Sequence, residues 1–62
     1  MNINEASKKD LEVLPGIGDE MAKRIIEYRN ENGKFSKIED LQNIKGIGEA
    51  KFSNLKKFIT VK

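Results

Sequence analysis

Sixty-two residues allow one domain at most, near the lower limit for folding without covalent staples. Twelve basic and ten acidic side chains leave a net charge of +2, too small by itself to define a partner. The chain has no cysteine, which excludes disulfides, and no histidine, which removes the usual general base and the commonest metal ligand. Both absences argue against an enzyme and against a metal or cofactor site.

No apolar run approaches the ~18 residues of a membrane span and no signal peptide opens the chain. The first predicted element is a short helix with Ser7 as N-cap and Asp10 three residues on, running to about Leu14 and burying Leu11 and Leu14. Pro15 ends it, because proline has no N–H and disfavours a helical conformation at the residue before it. Gly16-Ile17-Gly18 follows as a tight hairpin. A second helix then carries Ala22, Ile25 and Ile26 as a buried stripe, with Asp19 and Glu20 at its positive end and Asn32-Gly33 at its close.

Residues 32–36 form the only linker. Ser36 and Glu39 read as a Ser-x-x-Glu capping box with Phe35 as its hydrophobic staple, and Ile38, Leu41 and Ile44 give the apolar face of a third helix. After Gly46-Ile47-Gly48, a fourth helix buries Phe52, Leu55 and Ile59, with Phe58 helping to close the core. Ile3 is expected to fold back onto that core, and Val61 and Lys62 to fray.

The elements fall into an internal repeat. Asp10-Leu11-Glu12-Val13-Leu14-Pro15-Gly16-Ile17-Gly18 recurs thirty positions later as Asp40-Leu41-Gln42-Asn43-Ile44-Lys45-Gly46-Ile47-Gly48, with five of nine positions identical. The predicted fold is therefore all-α, two pseudo-twofold-related motifs at about 7–32 and 36–60 in one domain spanning 1–62. Charge breaks the symmetry. Residues 1–31 carry five basic and seven acidic side chains, net −2, whereas residues 32–62 carry seven and three, net +4.

The chemistry of Gly-Ile-Gly lies in its backbone. Glycine reaches positive φ cheaply and leaves no side chain in the way, so successive amides can converge on one anion. The isoleucine between the glycines is expected to point inward and pin the hairpin. Such a device grips a phosphate without reading a base. A nucleotide loop is excluded: there is no Gly-x-x-x-x-Gly-Lys-Ser/Thr, and no strand precedes either glycine pair.

Leu-x-x-Leu-Pro-Gly-Ile-Gly at 11–18 and Leu-x-x-Ile-Lys-Gly-Ile-Gly at 41–48 resemble the helix-hairpin-helix motif. With Asn2–Ser7 and Tyr28–Phe35, the tandem copy resembles the C-terminal DNA-binding domains of the ComEA competence proteins over nearly the whole chain. The resemblance implies a domain that binds double-stranded DNA without sequence preference through hairpin amides on phosphates; some members of the superfamily also hold a monovalent cation on hairpin carbonyls, and the residues themselves give no sign of one, of a cofactor or of a clustered acid/base set. The resemblance also implies a role in DNA uptake during transformation, outside a bacterial membrane that the domain itself does not touch. Carried over by position, the phosphate-binding residues are Gly16, Ile17, Gly18, Lys23 and Arg24 at the first hairpin, and Lys45, Gly46, Ile47, Gly48 and Lys51 at the second. A monomer is expected in isolation.

Asp19 and Glu20 depart from the family pattern by placing carboxylates where a phosphate would sit, and Glu49 does so at the second copy, where Lys45 and Lys51 offset it. The second hairpin is therefore expected to bind more strongly. The rival reading is a helical protein-interaction module with degenerate DNA binding. Lys56 and Lys57 read as solvated, Arg29 as a partner of a phosphate or of Glu27, Glu31 or Asp40, and Phe35, Phe52 and Phe58 as core rather than stacking platforms.

Overall fold

A computed structural model describes all 62 residues, Met1–Lys62. Four helices form in chain order, without a strand: α1 (Lys8–Glu12), α2 (Asp19–Asn32), a 3₁₀ helix (Ile38–Asn43) and α3 (Glu49–Leu55), which runs on into a short 3₁₀ turn at Lys56–Phe58. α1 starts where its capping residues dictate. The Ser7 hydroxyl accepts the Asp10 N–H and the Asp10 carboxylate accepts the Ser7 N–H, both at 3.1 Å. α2 ends at Gly33, whose φ of +83° suits glycine and whose N–H donates to the Arg29 carbonyl.

The third helix departs from the expected α form, and its sequence supplies the reason. A six-residue segment makes few i→i−4 bonds, whereas 3₁₀ winding closes more bonds over the same residues and stacks every third side chain on one face. Ile38, Leu41 and Ile44 recur at that spacing; Leu41 and Ile44 are buried and Ile38 packs against them. Its cap also differs from the Ser36–Glu39 box. The Asp40 carboxylate accepts the N–H groups of Ser36 at 3.0 Å and Lys37 at 3.4 Å, so Asp40 takes the place that Asp10 holds in the first repeat.

The core consists of fourteen buried residues, all hydrophobic, so any polar chemistry is confined to the surface. It obeys the repeat: Leu11 and Leu41, Leu14 and Ile44, Ile17 and Ile47, Ala22 and Phe52, and Ile25 and Leu55 are buried in register. Ile26 packs only partly against this cluster. Phe35 is buried and stacks on Tyr28, with ring centroids 5.3 Å apart. Phe58 instead lies 45% exposed with the Lys57 ammonium over its ring, so Phe52, Leu55 and Ile59 close the core there without it.

The chain ends are held rather than frayed. Ile3 is fully buried, Asn2 and Thr60 form a parallel β-bridge, and Val61 packs against the core. The Asn4 amide pairs with both backbone groups of Phe35. Arg29 is in no ion pair; its Nη1 donates to the carbonyls of Ile3 and Ala6 at 2.8 and 3.0 Å, fastening the leader to α2. Both repeats and the leader thus converge on one core, which leaves the two glycine hairpins at the surface.

Candidate phosphate-binding hairpins

The hairpins are closed by the same backbone bonds. Leu14 N–H donates to Leu11 and Ile44 N–H to Leu41, each at 3.1 Å; Ile17 N–H donates to Leu14 at 3.1 Å and Ile47 N–H to Ile44 at 3.0 Å. Gly16 and Gly46 turn the chain with φ of +77° and +101°, a region that side chains disfavour. Ile17 and Ile47 are 4% and 2% exposed, anchoring each turn as expected.

These bonds divide the amides into two sets. Those of Ile17 and Ile47, expected by resemblance to donate to phosphates, are already engaged in the turn. Gly16, Gly18, Gly46 and Gly48 donate to no protein group, and helical bonding begins only with Ala22 N–H to Gly18 and Phe52 N–H to Gly48. The isoleucines therefore serve the site as anchors, and the glycines present its open donors. A repeat of turn bonds was implicit in the sequence; which amide each turn would use was not.

Charged groups arrange themselves differently from their order in the chain. Asp19 is engaged by Lys8, which also pairs with Glu12 at 3.0 Å, and by Lys23 at 4.0 Å. The Lys8 hydrogen bond holds the Asp19 carboxyl below its ordinary value of 3.8, and the same bond raises Lys8 above 10.5. The acid that seemed to bar the first hairpin is thus already paired with two cations. Glu20 and Glu49 are in no ion pair, and neither is Lys45, whose side chain is exposed.

Lys51 does not stay beside the second hairpin. Its Nζ donates to the Gly16 carbonyl of the first, at 3.1 Å. In return, Arg24 Nη1 donates to the Lys45 carbonyl of the second, at 3.0 Å. An open groove separates the turns, lined by Pro15 and Gly16 from one and Gly48, Glu49, Ala50, Lys51 and Asn54 from the other. The local-charge basis for a stronger second hairpin is lost, since Lys51 has moved to the first and Asp19 is paired. Lys8 and Met21 are the neighbours that sequence reasoning missed. Met21 sits three positions after Gly18, as Lys51 does after Gly48, and that register was the available signal.

A family model for the helix-hairpin-helix motif matches residues 1–60. The chain belongs to the helix-hairpin-helix family. The ComE operon protein 1 of Bacillus subtilis (strain 168) is 47% identical over all 62 residues, which make up 30% of that protein. The endonuclease/exonuclease/phosphatase family domain-containing protein 1 of Xenopus laevis is 43% identical over 56 residues, 90% of this chain and 10% of that protein. The kinesin-like protein KIF22 of Danio rerio is 42% identical over 52 residues, 84% of this chain and 8% of that protein. The chain thus spans less than a third of the length of these relatives. The similarity extends to short stretches of proteins of unlike names. No group of three or more carboxylates forms a metal-binding cluster in this chain, and no helix is long and apolar enough to cross a membrane.

Proposed function

We propose that this helix-hairpin-helix domain binds double-stranded DNA without sequence preference, through its hairpin amides and nearby cations on phosphates. The observation that carries the reading is the pair of in-register hairpins across one groove, each with unused glycine amides and a cation at hand. Open amides and cations recognise phosphate but no base edge, which is why sequence independence follows. The similarity to the ComE operon protein 1 supports a place as the DNA-receptor domain of a ComEA-like uptake protein. In this reading the domain is a monomeric binding module with no catalytic residue and no cofactor, and Gly16, Gly18, Gly46, Gly48, Lys23, Arg24, Lys45 and Lys51 surround the phosphates.

Titration of a fluorescent duplex at low salt tests it. Binding should appear with equal strength on unrelated duplex sequences and fall as salt is raised; no salt-sensitive binding below about 100 μM overturns it in favour of a protein-interaction module.

A further inference from the structure

We propose that the two repeats exchange their phosphate-positioning cations: Lys51 of the second repeat serves the first hairpin, and Arg24 of the first repeat serves the second. This rests on the DNA reading above and adds to it that neither hairpin is complete without the other repeat.

The exchange is reciprocal in the packing. Positions 21 and 51 correspond under the thirty-residue repeat, and each side chain lies against the positive-φ glycine of the opposite hairpin. A Cβ placed on Gly16 would meet Lys51 Cε at 3.7 Å, and one on Gly46 would meet Met21 Cε at 2.7 Å. Where the crossing side chain is lysine, it brings its charge to the opposite hairpin. Where it is methionine it brings none, and Arg24, one helical turn along α2, supplies the missing cation. Its Nη1 lies 3.2 Å from the same hypothetical Gly46 Cβ and donates to the Lys45 carbonyl.

Each cation keeps most of its donors for a ligand. Lys51 uses one of three ammonium hydrogens on Gly16, and Arg24 uses one of its two Nη groups on Lys45. Neither takes part in an ion pair, whereas Lys8 and Lys23 are bound to carboxylates. A neutral carbonyl orients a cation without cancelling its charge, so each cation stands fixed beside open glycine amides. Glu49 lines the groove with Lys51 and does not pair with it.

Two readouts separate the exchange from the DNA reading itself. In the free protein, Lys51→Met should shift the amide resonances of Gly16 and Ile17; changes confined to residues 46–56 overturn the exchange. For binding, Gly18→Asp and Gly48→Asp disable one hairpin at a time. Both glycines have negative φ and nothing within 4 Å of an added Cβ, and aspartate is a favoured N-cap, so the fold is retained. Lys51→Met should weaken duplex binding about five- to tenfold and reduce the salt slope by about one.

That loss should largely vanish in the Gly18→Asp background and persist with Gly48→Asp; Arg24→Gln should behave in the opposite way. Coupling of Lys51 to Gly48→Asp instead, or additivity with both, overturns the proposal. Absence of any salt-sensitive binding by the parent overturns the DNA reading, and the free-protein spectra then decide the exchange alone.

Discussion

The first hairpin lies in the acidic half of the chain and the second in the basic half, yet the same backbone bonds close both and an isoleucine of matching burial anchors each. All three ion pairs of the domain lie in the first repeat, where they absorb Asp19; the second repeat has none and keeps its lysines unpaired. The comparison separates two properties that the repeat carries together. Backbone and core are duplicated faithfully, because both copies must bury the same apolar set. Surface charge has diverged, and crossed contacts bring each turn one cation from the other repeat.

The fold side of that symmetry predicts the largest effects. Ile17→Ala and Ile47→Ala should each cost about 2–4 kcal/mol and by similar amounts, since both side chains are almost fully buried; thermal melts followed by circular dichroism measure it. Clearly unequal losses would break the equivalence of the two turns. Next come the positive-φ glycines. Gly16→Ala should cost about 1–2 kcal/mol for backbone strain alone, because its new methyl meets Lys51 only at ordinary contact distance. Gly46→Ala should cost more, because Met21 and Arg24 must also move; equal costs would show that they yield freely.

The smallest effect concerns the ion pairs. Because Asp19 is held below 3.8 in the folded chain, its contribution is present above that value and is lost as pH falls through the lowered pKa. Lys8 behaves in mirror fashion: its contribution is present below 10.5 and is lost as pH rises through the raised value. Both groups are exposed, so Lys8→Met should barely alter the melting temperature near pH 7 but should make the loss of stability in acid shallower. An unchanged acid limb would mean that the pair does not form.

Much of this was legible in the sequence. The repeat, the Ser7 and Asp10 cap, the Gly33 terminus and most of the core follow from residue pattern, whereas α1 ends at Glu12, two residues before the expected stop at Leu14. What escaped depended on contacts between distant segments. Ile38, Leu41 and Ile44 at strict spacing of three held the sign of 3₁₀ winding, but spacing of three also fits an α-helix. Arg29 was weighed against nearby acids, while its partners are carbonyls of a leader more than twenty residues away. Phe58 looked like core because a small domain needs every aromatic, yet Phe52, Leu55 and Ile59 fill that side without it. At the site, the residue types were readable and their allocation was not: Lys51 is near Gly48 in sequence and bonded to Gly16 in space.

The salt dependence of duplex binding, compared between the parent, Gly18→Asp and Gly48→Asp, tests the central claim most directly. With about four to six phosphates shared between two hairpins, the parent should show a log–log slope of about −4 to −5. Either substitution should bring it to about half, with melting temperatures kept or slightly raised by the new cap. A slope that neither substitution changes, or that one of them abolishes while the other leaves it intact, would contradict two hairpins acting as one phosphate grip.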